Sequence, residues 1–169
     1  MRATDALLIG SLLLSIGWGC TNTGPSTRID LRFELVSVAR EPDSVHTLSM
    51  IGRTGERWYA DSEPVLTIRD LYPDSGVPMP AYDDTWGVQV CVKERAAARL
   101  HRWTRERVGE RVGFVIDGQL IWVTEIKAGV SGVFVVPGLR SMEEASQVAR
   151  DLRATLRARY VSIQKCEAN

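Results

Sequence analysis

The side chains of this chain that could do acid–base, nucleophilic or metal chemistry are few, and their spacing argues against each use. There are two histidines, His46 and His101, and three cysteines, Cys20, Cys91 and Cys166. His46 falls in a loop region and His101 on an arginine-rich helix face. No Cys/His spacing matches a zinc site, and no glycine-rich loop matches a phosphate cradle. Asp83 and Asp84 form a carboxylate pair, but they stand between Pro80 and Gly87 with no partner base, which reads as a solvated turn. Glu143 and Glu144 follow Ser141 in the pattern of a capping box. The serine oxygen accepts the N–H of residue 144, and Glu144 reaches back to the N–H of Ser141. Both carboxylates also suit a helix N-terminus. These patterns imply no catalytic set, no metal and no cofactor. The expectation is a non-catalytic chain, and the alternative is an enzyme whose site is assembled from residues that spacing does not pair.

The 169 residues fit one domain, with 44% hydrophobic and 25% charged residues. Lysine plus arginine and aspartate plus glutamate both count 21, so the net charge is zero. A neutral chain has no bulk drive toward nucleic acid or an anionic membrane. Arginines concentrate between residues 95 and 111, but Glu94, Glu106 and Glu110 are interleaved, so the run reads as a solvated helix face.

The N-terminus has the layout of an export signal. Arg2 precedes an almost wholly apolar stretch over residues 6–16, too short to span a bilayer. It ends at Gly17-Trp18-Gly19-Cys20, a cysteine after a small residue, which resembles a bacterial lipoprotein processing site. Gly17 stands where an aliphatic residue is usual. Even so, the placement of Cys20 after a small residue at the end of the apolar stretch favours lipidation there, with simple cleavage near Gly19 as the alternative. Residues 1–19 are read as signal peptide and 20–28 as a polar tether.

Ile29, Leu31, Phe33 and Leu35 alternate with polar residues and predict a half-buried strand. Residues 41–44 end it, and Trp58-Tyr59 marks a short strand within 45–62. Residues 72–86, with Pro73, Pro78 and Pro80, are read as loop. A strand over 87–92 leads into a helix over 94–108, with Ala97, Leu100, Thr104 and Val108 on one face and Gly109 as stop. Asp117-Gly118 is a strong hairpin turn between strands at 112–116 and 120–126. A short strand at 133–136 is broken by Pro137-Gly138. A helix from Ser141 to about residue 157 precedes a final strand at 160–165. The order is α+β: a two-layer sandwich with two helices on one face of an antiparallel sheet (β-α-β-β-α-β, ferredoxin-like), preceded by an N-terminal β segment at 29–62.

Three stretches carry a resemblance to the first periplasmic (P1) head of the SecD/SecDF protein-export subunit. They are Glu63-Pro64-Val65-Leu66-Thr67 with Asp70-Leu71; residues 104–112 running on to Val115-Ile116-Asp117-Gly118; and Glu143-Glu144-Ala145 leading to Leu152-Arg153-Ala154. The resemblance covers residues 63–166 and departs at Pro78, Pro80 and Trp122. It implies a polypeptide-handling fold on the periplasmic side of a membrane, with a polypeptide or an envelope protein, such as the export machinery, as partner. It does not imply motor activity, since nothing else in the chain approaches the ~18 apolar residues of a membrane helix.

In a ferredoxin-like sheet the strands at 87–92 and 160–165 are antiparallel neighbours, which separates Cys91 from Cys166 by about 15 Å and leaves two free thiols. Along 120–126 both alternating sets are apolar, Ile121 with Val123 and Leu120 with Trp122. The second set is either covered by residues 29–35 or exposed as a partner-contact patch, which makes Trp122 and Leu120 the candidate contact residues.

Overall fold

The computed structural model describes residues 27–82 and 84–167. Two antiparallel sheets and two helices make an α+β fold, as the patterning predicts. The first sheet contains β1 (Phe33–Ala39), β2 (His46–Ile51), β3 (Arg57–Asp61), β4 (Leu66–Thr67), β7 (Arg111–Ile116) and β8 (Gln119–Glu125) in the order β2-β3-β1-β7-β8, with β4 also pairing β1. The second contains β5 (Val77–Pro80), β6 (Trp86–Cys91) and β9 (Val133–Leu139), in the order β5-β6-β9. Helices α1 (Glu94–Glu106) and α2 (Met142–Glu167) complete it.

The N-terminal strand is thus central. β1 takes β7 along one edge, and β3 and β4 along the other. Its alternation serves two cores. Phe33 and Leu35 point into the main core with Leu66, Leu100, Phe114, Val90 and Leu152, while Val36 and Val38 point into a second one with Trp58, Ala60, Val115 and Leu120. Every strand of the second core belongs to the first sheet, so that sheet curls on itself. Gly52, just after β2, bridges Leu120 of β8 and nearly closes the ring. Gly113 sits inside the curl, where a Cβ would lie 2.6 Å from Leu120 Cδ1 and 3.0 Å from Val38 Cγ1.

Asp117 and Gly118 have φ of 51° and 80°, the paired positive angles of a type I′ hairpin turn. The chain before β1 is sewn to this turn and to α2. The Arg28 N–H donates to Asp151 Oδ1 at 2.8 Å, its guanidinium reaches Asp117 Oδ2 at 2.8 Å, and the Leu31 N–H donates to Thr155 Oγ1 at 3.1 Å.

Five sequence expectations are corrected. Residues 77–80 are not loop but β5, an edge strand. Its two prolines lie two residues apart, so both missing N–H groups fall on the side away from β6. Ser75 extends that pairing: its hydroxyl donates to Cys91 O at 3.1 Å and accepts from Cys91 N at 2.9 Å. β9 does not stop at Pro137-Gly138. It runs to Leu139, and an irregularity opposite Trp86 and Val88 absorbs the Pro-Gly pair. The final strand at 160–165 is the continuation of α2, because nothing after residue 157 breaks the helix. β6 therefore neighbours β5 and β9, and the strand geometry used to separate Cys91 from Cys166 does not exist. Cys91 is a free thiol, and the Cys166 side chain lies outside the described residues. Finally, the helix face is Ala96, Leu100 and Thr104, and Val108 lies beyond the helix end and exposed.

Candidate functional site

The seam between the two sheets holds the candidate site, and a β-bulge creates it. On β7, Phe114 pairs with Trp122 and the next residue, Val115, pairs with Leu120, which leaves Ile121 as an extra residue on β8. The bulge breaks the alternation expected from sequence. Ile121 and Trp122 both turn to the main core side, while Leu120 and Val123 turn into the curl. Leu120 is 1% exposed there, so its candidacy as a contact residue is corrected: it has no surface to offer a partner. Residues 29–35 do not fold across this strand, since β1 is built into the same sheet.

Trp122 is half-buried at the place where β8 passes β9, against Gly138. A Cβ at Gly138 would lie 3.0 Å from Trp122 Cε3 and 2.9 Å from Ile121 O, and its φ of 90° suits glycine as well. On one side of this crossing is a cleft of about 710 Å³, walled by Leu35, Phe114, Trp122, Ile126, Phe134 and Pro137, with Tyr82 at its mouth. On the other is a cavity of about 440 Å³ bounded by Arg53, Glu56, Trp58, Trp122, Leu139 and Arg140. β8 and β9 are the end strands of their sheets, and the larger cleft between them is also lined by Leu100 and Thr104 of α1 and by Phe114 of β7.

An ion pair fastens the seam. Arg53 Nη1 donates to Gly138 O at 3.0 Å and to Glu144 Oε2 at 3.1 Å, and its Nη2 donates to Glu144 Oε1. This revises the capping box. The Glu144 N–H does bond Ser141 Oγ at 3.2 Å, but the Glu144 carboxylate takes the Arg140 N–H at 2.7 Å rather than that of Ser141. Its hydrogen bonds, first of all that from Arg53, hold it below the usual carboxylate range.

The histidines sit elsewhere. His101 is exposed on α1. His46 is the first residue of β2, not a loop residue, and its Nε2 lies 2.8 Å from Ser37 Oγ and its Nδ1 2.8 Å from Asp43 Oδ2. This is the order of a serine nucleophile, a base and an orienting carboxylate, and spacing did not reveal it because Ser37 and His46 lie on different strands. Ser37 is only 6% exposed. The group instead clamps the β1–β2 connection. Asp43, which also accepts the N–H groups of His46 and Val45 at 2.7 Å each, is held down at about 2. Asp84 occupies a turn with φ of 55°, while Asp83 and Cys20 lie outside the described residues. Among the described residues no group of His, Cys, Asp and Glu could hold a metal ion.

Comparison with known proteins bears on this seam. The family model described as the SecDF P1 head subdomain matches residues 46–157. The chain belongs to the SecDF P1 head family. A curated relative, the protein translocase subunit SecDF of Thermus thermophilus, is 32% identical over 94 residues, covering 54% of this chain and 12% of its own. The chain thus spans about an eighth of that relative. Two solved structures share the fold. SecDF in its super-membrane-facing form gives a TM-score of 0.56 at 21% identity, covering 73% of this chain and 18% of that one. A structure described as a membrane component SecDF that enhances protein export gives 0.56 at 21% identity, covering 76% and 63%. In this SecDF P1 head the matched residues take in the β2–β3 hairpin, α1, the first part of α2, and β8 and β9 on either side of the seam. Among the described residues no helix is long and apolar enough to cross a membrane.

Proposed function

We propose that the chain is a non-catalytic, polypeptide-binding module acting on the periplasmic side of a bacterial membrane in a process related to protein export, with Trp122 as its central contact. The observation that carries this is the cleft of about 710 Å³ lined by Phe114 of β7, Trp122 of β8 and Phe134 of β9 where the two sheets meet. An unfolded chain in transit displays apolar side chains and unpaired backbone. Aromatic anchors between strand edges suit both. The P1 head family and the translocase relative support the process.

Arg28, the last residue of the tether, is held to the folded part by hydrogen bonds to α2 and to the hairpin turn. Residues 1–19 act as signal peptide, and two acyl chains on Cys20 with the tether 20–28 hold the module at the membrane. A Cys20→Ser variant should leave the membrane fraction; continued membrane association would overturn the anchor alone. The binding role is tested by a photo-crosslinking residue placed at Thr124, on the wall of the cleft. Adducts to exported polypeptides during active export are the expected result. Adducts absent there, yet present from a control position on the exposed face of α1, would contradict the assignment.

A further inference from the structure

Hydrogen-bond parity fixes which way the backbone of β9 faces. On β6, the Cys91 N–H and C=O both bond the Ser75 hydroxyl, on the β5 side. The next residue, Val92, donates its N–H to Gly132 O at 2.6 Å, on the β9 side. Backbone groups alternate along a strand, so residues 88, 90 and 92 turn theirs to β9. Their partners there are Val136, Phe134 and Gly132. The residues between, Val133 and Val135, therefore turn both N–H and C=O away from β6, and Pro137 turns its C=O the same way. β9 ends its sheet, so among the described residues no strand pairs with this edge. The opposite edge of the same sheet is guarded. On β5, Pro78 and Pro80 put rings where outward N–H groups would stand, which blocks strand addition. Residues 133–135 carry no such guard, and Phe134, Val135 and Pro137 line the larger cleft.

We infer that β9 is a strand-addition edge: the bound polypeptide pairs its main chain with Val133, Val135 and Pro137 as a fourth strand of the β5-β6-β9 sheet. The inference rests on the polypeptide-binding function proposed above and names how the backbone is held. A strand added about 4.8 Å from β9 lies along the cleft. Its alternate side chains share the face of Phe134 and Val136, the main-core side from which Phe114 and Trp122 line the cleft. Glu125 and Lys127 balance each other at the cleft, so its charge complements a neutral occupant. The occupant is thus an extended, uncharged segment with an apolar residue at every second position. The rest of its sequence goes unread, because every residue but proline offers the same main-chain bonds.

The test uses the full chain and a dye-labelled, N-acetylated, C-amidated ten-residue peptide of alternating leucine and serine, read by fluorescence anisotropy. Two further peptides carry backbone N-methyl groups, one on the two central serines and one on the two central leucines. With the leucines toward Phe114 and Trp122, antiparallel pairing turns the serine N–H groups to β9, and parallel pairing turns the leucine ones. Methylation of one set should therefore weaken binding about tenfold or more, the loss of two hydrogen bonds, while methylation of the other leaves it within about twofold. Equal effects of the two sets, or none, would overturn the inference and leave the polypeptide function standing. Val135→Pro locates the pairing, since it caps this edge as Pro78 and Pro80 cap that of β5. It should weaken the unmethylated peptide about fivefold or more; Val133→Pro, at the exposed start of β9, takes its place if that variant does not fold. Full affinity in the folded variant would move the pairing off β9 and overturn the inference. A parent chain that binds none of the peptides would bring down the proposed function as well.

Discussion

Leu120 and Trp122 are two residues apart on β8 and inhabit opposite worlds. Leu120 closes the inside of the curled sheet, a core of Val36, Val38, Trp58, Ala60 and Val115 that one sheet makes with itself. Trp122 stands half-buried on the seam with the second sheet, with a cavity on either side. A single bulge at Ile121 separates the two. The difference teaches how a small domain divides labour along one strand: the closed side supplies stability, and the seam, where two sheets meet without merging, keeps apolar surface available. A seam of this kind holds together only if something other than strand pairing joins it, and here that is the Arg53–Glu144 ion pair together with the close approach of Gly138 to Trp122.

The comparison can be broken by substitution. Leu120→Ala should cost the most, about 3 kcal/mol, because the curled core cannot collapse around the void; chemical denaturation measures it, and a loss below about 1 kcal/mol would mean the curl is not a true core. Arg53→Ala should cost less, about 2 kcal/mol, by leaving the half-buried Glu144 carboxylate without its main partner. It should also loosen the seam, seen as faster amide exchange in β9 than in β7; equal change in both strands would show that the pair is not a seam fastener. The smallest effect belongs to Asp43, far from the seam. Its carboxyl stays ionised in the folded protein down to about 2, whereas an unfolded chain protonates near 3.9. Its contribution is therefore complete above about pH 4 and is lost as pH falls toward 2. Asp43→Asn should flatten the melting temperature across that window relative to the parent, and an unchanged slope would remove Asp43 from the acid response.

Much of the fold was legible because local chemistry and tertiary context agree. Asp117-Gly118 demanded a type I′ turn and makes one, the alternation at 29–35 marked β1, and Ser141 caps α2. The failures have physical reasons. Pro78 and Pro80 look like breakers until the strand is known to lie at an edge, where a missing N–H costs nothing. Residues 160–165 read as a strand from their apolar content, but a helix already nucleated at Ser141 continues through them without a breaker. A bulge adds one residue silently, so alternation paired Leu120 with Trp122 when the strand separates them. Trp122 itself was legible as an odd aromatic in an over-apolar strand. Its neighbours in the site, Arg53, Trp58 and Phe134, were not, because they come from three other strands or turns and no spacing links them.

The seam around Trp122 is proposed to bind polypeptide, while the curl supplies the stability. One paired measurement tests it most directly: the affinity of the purified chain for a permanently unfolded polypeptide, reduced and carboxymethylated α-lactalbumin, alongside the unfolding free energy, for the parent and Trp122→Ala. Truncating a half-buried indole should lower stability by about 1 kcal/mol, while loss of a central aromatic contact should weaken binding by tenfold or more. A variant that loses 3 kcal/mol or more of stability, or that binds the unfolded polypeptide as tightly as the parent, would contradict the account.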